Sequence, residues 1–199
     1  MATTINSGRG SSPLLRADVP SRADVYGGRG LVFDGVTDYL DLSSLKFALD
    51  DYSSGAISFW FNATDADVDS STQHMISARD GSTNTRLFII LSDNGKITFY
   101  LGDGVDAVAD LNYSAGVWNH IVVTWSSNTG TIYFNGSVHG TNIATIDAGA
   151  GANSYNFTIG AYALSPDSYL YDGKLSDFKL FDSSLTEAQV QELYLKPEQ

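Results

Sequence analysis

An all-β fold is what the sequence predicts: two antiparallel sheets packed as a sandwich, with an extended N-terminal arm and one short C-terminal helix. Three observations predict it. About a dozen short apolar runs recur at strand spacing, separated by clusters of Gly, Asn, Asp and Ser. Two Asn-Gly pairs stand between such runs, where a type I′ hairpin turn needs residues tolerant of positive φ. Helical periodicity appears only near the C-terminus. With 199 residues, 43% of them hydrophobic, the chain suits a single core.

Residues 1–30 are rich in Gly, Ser, Pro and Arg without a hydrophobic period and read as the extended arm; residues 31–199 form the body. From Leu31 the predicted strands are LVFDG (31–35), DYLDLS (38–43), AISFWFNAT (56–64), HMISARD (74–80), TRLFIILSDNG (85–95) and KITFYLGDG (96–104). VWNHIVVTWSS (117–127), TIYFNG (131–136), SVHGTNIAT (137–145), NFTIGAY (156–162) and KLSDFKLFD (174–182) follow. Asp93-Asn94-Gly95 and Asn135-Gly136 mark hairpins. In 117–125, Val117, Ile121, Val123 and Trp125 share one face, and Trp118, His120, Val122 and Thr124 share the other. Both faces are largely apolar, so this run reads as a central strand covered on both sides. His120 then reads as a packed, hydrogen-bonded histidine, and Trp118 and Trp125 as core residues. Segment 147–154, DAGAGANS, reads as a loop. The helix starts at a Thr186-x-x-Gln189 capping box, carries an apolar stripe of Ala188, Val190, Leu193 and Tyr194, and stops before Pro197.

Charge and composition narrow the function. A formal net charge of −12 argues against nucleic acid and anionic membrane as partners. The charge is uneven: Arg9, Arg16, Arg22 and Arg29 against Asp18 and Asp24 leave the arm net +2 and the rest net −14. Those four arginines are the candidate partner-docking residues. No cysteine is present, which excludes disulfides and thiolate zinc sites. No apolar run approaches eighteen residues, and the N-terminal stretch lacks the apolar region of an export signal. His74, His120 and His139 show no zinc-type spacing, and no phosphate or dinucleotide fingerprint occurs. Four N-x-(S/T) sequons, at Asn62, Asn112, Asn135 and Asn156, read as chance in a chain rich in these residues.

Three stretches in order carry a family resemblance: LVFDGVTDYLDL (31–42), GVWNHIVVTWSSNTGTIYFNGSVHG (116–140), and YDGKLSDFKLFDSSLTEAQVQELY (171–194). Together they resemble the laminin G-like, concanavalin A-like lectin/glucanase jelly-roll superfamily. The resemblance implies a jelly-roll sandwich with one concave and one convex sheet, in which the first stretch forms a strand pair and the last strand runs beside the first. That would bring Asp34 and Gly35 close to Asp177. Some members hold a structural Ca²⁺ at that junction, so Asp34, Gly35 and Asp177 are the candidate metal residues. The competing reading is that the aspartate fixes a turn with no metal.

The resemblance also raises glycoside hydrolysis, which needs a pair of carboxylates on one face of a sheet. The three glutamates, Glu187, Glu192 and Glu198, all fall in the helix or tail. The protein therefore reads as non-catalytic. The expected function is that of a virion structural protein, a bacteriophage head-decoration or tail-appendage subunit. It would dock through its arm on other virion proteins or on copies of itself, with host-surface glycans as a further ligand. A lectin-like fold without an export signal, carrying a basic arm on an acidic body, motivates this reading. The alternative is a secreted, extracellular carbohydrate-binding or adhesion module; a jelly-roll hydrolase ranks third.

Overall fold

The computed structural model describes residues 3–5, 13–17, 30–43, 54–65, 72–80, 84–92, 96–101, 106–109, 111–126, 129–141 and 155–196. In chain order the strands are β1 (Thr3–Ile5), β2 (Pro13–Ala17), β3 (Leu31–Asp34), β4 (Leu40–Asp41), β5 (Ser54–Ala63), β6 (Gln73–Asp80), β7 (Asn84–Leu91) and β8 (Lys96–Leu101). Then come β9 (Asp106–Ala109), β10 (Leu111–Asn112), β11 (Asn119–Ser126), β12 (Thr129–Phe134), β13 (Ser137–Thr141), β14 (Tyr155–Ile159), β15 (Asp172–Phe181) and the helix α1 (Glu187–Leu195). Sheet A has the order β1-β2-β15-β5-β11-β12-β13, with β3 also on β15; sheet B has the order β10-β8-β7-β6-β14-β4, with β9 on β8. All described pairings are antiparallel.

Alternation along the strands builds the main core between the sheets. Ile57, Phe59 and Phe61 of β5, Ile121, Val123 and Trp125 of β11, and Leu175, Phe178 and Leu180 of β15 point inward from sheet A. Ile76, Ala78, Leu87, Ile89, Leu91, Ile97, Phe99, Phe157 and Ile159 meet them from sheet B. The opposite face of β11 is buried as well. Val122 joins Ala56, Tyr133, Phe181, Leu185 and Val190 in a second cluster beneath α1. This is the two-sided central strand read from 117–125, with β5 on one side and β12 on the other, except that it starts at Asn119, leaving Val117 exposed and Trp118 partly buried.

A nine-residue helix is marginal on its own, so α1 depends on that contact. Burying Val190 completely contributes about 1.5–3 kcal/mol. The capping box forms as read, with Gln189 N donating to Thr186 Oγ1 and Thr186 N donating to Gln189 Oε1. Within the stripe, Leu193 packs on the second cluster, whereas Ala188 is exposed, because the sheet covers a narrower sector of this short helix than a full stripe requires. Pro197 lies outside the described residues.

One further reading is corrected and two are extended. The stretch 31–42 is no strand pair: β3 joins β15 in sheet A while β4 joins β14 in sheet B, so the chain crosses between sheets at residues 35–39. The segment read as an extended arm contributes two strands, with β2 pairing β15 from Lys179 to Phe181 and β1 pairing β2. Here PLLRA supplies a short β-compatible run between Gly/Ser punctuation. Strands β9 and β10, in a stretch the sequence left unassigned, complete the β8 edge of sheet B.

Asn135 and Gly136 form the predicted turn, with φ of 48° and 78°. Asn135 Oδ1 accepts from His120 N at 2.8 Å, so the turn is tied to β11. A Cβ on Gly136 would sit 2.8 Å from the Tyr194 ring, so the turn also limits how α1 docks. Gly136→Ala should therefore destabilise the protein by more than about 1 kcal/mol in chemical unfolding, the strained backbone and the crowded ring adding together. An unchanged midpoint would show that α1 is not seated on this turn.

Candidate functional site

The residues singled out by sequence do not form one site. Asp34 lies directly across from Asp172, not Asp177, and Gly35 N donates to Tyr171 O. Asp177 lies five residues further along β15, roughly 15 Å at strand rise. The expected approach of Asp34 and Gly35 to Asp177 is corrected accordingly: β15 offers its edge to β3 only through Leu175. Asp34 works instead as a turn residue. Its Oδ1 accepts the backbone N–H groups of Val36, Thr37 and Asp38 at 2.7–3.0 Å, and its Oδ2 accepts from Thr37 Oγ1. Those bonds, Thr37's backbone N–H foremost, hold its carboxyl well below the usual carboxylate range. Asp177 Oδ2 is occupied by the Lys179 ammonium at 2.7 Å. The three residues therefore do not fit a shared cation. Arg16 sits in β2 opposite Lys179; Arg9, Arg22 and Arg29 lie outside the described residues.

A serine–histidine pair lies beneath α1, where Ser58 Oγ meets His120 Nε2 at 2.9 Å. Both side chains are sealed, and Tyr194 stacks over His120 and Trp60 with ring centroids 5.9 and 5.6 Å away. Burial, then the positive charge of Lys179, pushes the His120 imidazole down to about 3. A base that substrate cannot reach, already neutral and packed, is a core residue. This matches the packed reading of His120.

The arrangement with the right exposure lies on the outer face of sheet B. Ser77 and Arg79 of β6 stand opposite Thr158 and Asn156 of β14, on the face turned away from Ile76, Ala78, Phe157 and Ile159. Residues 160–171 fold back over this face. Ala163 N donates to Ser77 Oγ, Thr158 Oγ1 to Ala161 O, Tyr171 N to Gly160 O and His74 N to Tyr169 O. The loop is closed on itself by Ser168 N to Ser165 O and Tyr162 N to Ser168 O.

That fold-back gathers four side chains. The Tyr162 and Tyr169 rings meet edge to face at 5.7 Å, and His74 packs against both at 5.2 and 5.5 Å. Arg79 donates from Nη1 to Tyr162 Oη and lies 5.8 Å over the same ring. Tyr169 is 53% exposed and has a φ of 56°, an uncommon conformation for an aromatic residue. Burial pushes the His74 imidazole down to about 4, so it is neutral and acts as an apolar wall near pH 7. The result is an exposed aromatic plate backed by a guanidinium and by Asn156, which suits a ligand with one apolar face and several hydroxyls.

Sequence reasoning missed this site for a definite reason. His74 and Arg79 are five apart and belong on opposite faces of a regular strand. A bulge between His74 and Ile76 turns both Met75 and Ile76 into the core and returns His74 to Arg79's face. Tyr162 and Tyr169 flank a Ser-Pro-Asp-Ser turn, the one local signal that pointed to a fold-back.

Comparison with known proteins places the fold. The family model described as the concanavalin A-like lectin/glucanases superfamily (laminin G type) matches residues 34–191, and the chain belongs to that superfamily. No curated protein matches it. Among solved structures it is similar to domain 4 of AbnA, a GH43 extracellular arabinanase from Geobacillus stearothermophilus, in complex with arabinotriose. That match has 17% identity and a TM-score of 0.62, covering 97% of this chain and 87% of that one. It is also similar to the native heptameric SAP-like pentraxin of Limulus polyphemus, at 16% identity and TM-score 0.60 over 82% and 80%. A third match is Trypanosoma rangeli sialidase, at 15% identity and TM-score 0.69, where 86% of this chain spans only 28% of the sialidase.

The buried histidines set a pH dependence. In the unfolded chain they protonate near 6.5; in the fold they stay neutral down to about 4 for His74 and about 3 for His120. The unfolded state therefore binds more protons, and stability is complete above pH 6.5 and lost as pH falls toward 4. Asp34, whose carboxyl is depressed, adds a further loss below its ordinary value of 3.8. Melting temperature between pH 8 and 4 should show the decline, and His120→Gln should flatten it. A profile level to pH 4 would contradict the burial of both rings.

Proposed function

We propose that the protein is a non-catalytic carbohydrate-binding module whose ligand lies on the outer face of sheet B. Tyr169 is the stacking plate, Tyr162 and His74 form its walls, and Arg79 and Asn156 are the hydroxyl-facing polar groups. The observation that carries this reading is the exposed Tyr169 ring, pinned against Tyr162 and the buried His74, with Arg79 held on Tyr162. Membership in a lectin/glucanase superfamily and the likeness to an arabinanase domain bound to arabinotriose add support. The non-catalytic reading is supported by Glu187 and Glu192, which lie on α1 on the other sheet, and by the sealing of the Ser58–His120 pair.

Placement of the module on a virion, docked through its arm, is the second reading. The pairing of β2 with β15 commits the described part of the arm to its own body. It favours a module that binds glycans as a single chain over a subunit held by its neighbours. A monomeric mass in light scattering supports this order, and a closed oligomer that is lost on deleting residues 2–28 reverses it.

The ligand test is calorimetric titration with a panel of neutral and sialylated oligosaccharides. One class should bind, and Tyr169→Ala should weaken it roughly ten-fold, about 1.4 kcal/mol, with little change in melting temperature. No binding across the panel, or binding indifferent to Tyr169→Ala, would remove the site.

A further inference from the structure

We propose that α1 is a detachable latch: it leaves sheet A, together with its stacked Tyr194 ring, while the sandwich stays folded. The chain is anchored just before the helix. Leu185 is buried, and its N–H donates to Thr124 Oγ1 of β11 at 2.8 Å. Beyond Thr186 no such tie follows. Among the described residues, the hydrogen bonds and the ion pair made by residues 187–196 all stay within the helix and its cap. Side-chain packing alone holds α1 down. Val190 is wholly buried, Leu193 packs on the second cluster, and Tyr194 stacks on Trp60 and His120. Glu187, Ala188, Gln191, Glu192 and Leu195 are exposed.

The surface beneath α1 weakens that hold. Trp60 Nε1 and His120 Nδ1 are buried without a hydrogen-bond partner, on the two rings that Tyr194 stacks against. Docking takes both atoms out of water and gives neither a replacement, which offsets part of the apolar gain. A nine-residue helix has little stability once released, so leaving the sheet and melting are one step. The strands beneath are held differently. β5 and β11 are paired along both edges and buried on both faces, so their amides open only with the whole sandwich. Release of α1 bares Trp60, His120, Val122 and Tyr133. It leaves β6, β14 and residues 160–171, on the other sheet, in place.

Native-state hydrogen exchange of the full chain, followed by NMR over a series of low denaturant concentrations, tests the latch. The amides of Val190 to Leu195 and the Trp60 indole N–H should exchange together and with little dependence on denaturant. They should do so roughly a hundred-fold faster than the amides of Ile121 and Val123. Ile89→Val, in the main core and away from α1, separates local from global opening. It should speed exchange at Ile121 and Val123 roughly five-fold and leave the helix amides and the indole unmoved. Equal speeding of all of them overturns the proposal, as does a wild-type helix that exchanges as slowly as β11. Helix amides that exchange early while the Trp60 indole N–H stays with the core would mean that α1 frays in place, and overturn it as well.

Discussion

The central strands of sheet A, β5, β11 and β15, are buried on both faces, and much of the structure follows from that constraint. They send one set of side chains into the main core and the other beneath α1. An ordinary sandwich strand alternates apolar and polar; these carry residues fit for burial on both sides. Some polar groups on the α1 side are tied down, whereas Trp60 Nε1, His120 Nδ1 and Ser176 Oγ are buried without a hydrogen-bond partner. Thr124 Oγ1 donates to Gly55 O and accepts from Leu185 N, and Ser58 meets His120. A neutral hydrogen bond contributes about 1 kcal/mol, and a buried group left without one costs about 1–3 kcal/mol. These contacts therefore specify where α1 sits more than they add stability.

While α1 covers the outer face of the central strands of sheet A, the outer face of sheet B presents side chains of its own. The loop at 160–171 builds the proposed site on that face by packing two tyrosines against His74 and Arg79. Rigidity comes from backbone bonds that close the loop and tie it to β6 and β14. Such preorganisation suits the proposed glycan site, where ordering a loose loop would consume much of a weak interaction.

The fold was legible because its signals are local. Alternation, Asn-Gly turns and a capping box each act within a few residues, and the structure has them at Asn135-Gly136 and Thr186–Gln189. The site was not legible, because it depends on non-local events. The Met75 bulge changes which face His74 occupies, and the fold-back brings Tyr162 more than eighty residues along the chain to Arg79. The same holds for Asp34. Its residue type and turn context were visible, but its partner across the sheet was set by the register of β3 against β15, which no short motif encodes. A second bulge, at Asp177, aims that side chain at Lys179 and away from a junction with Asp34.

The central claim is that ligand recognition belongs to sheet B and structural packing to the α1 side of sheet A. Backbone amide shifts followed by NMR during titration with a binding oligosaccharide test it most directly. The account predicts perturbations confined to β6, β14 and residues 160–171, with the amides of His120, Trp60 and α1 unmoved. Perturbations centred on α1 and its underlying strands, with β6 and β14 silent, would contradict it.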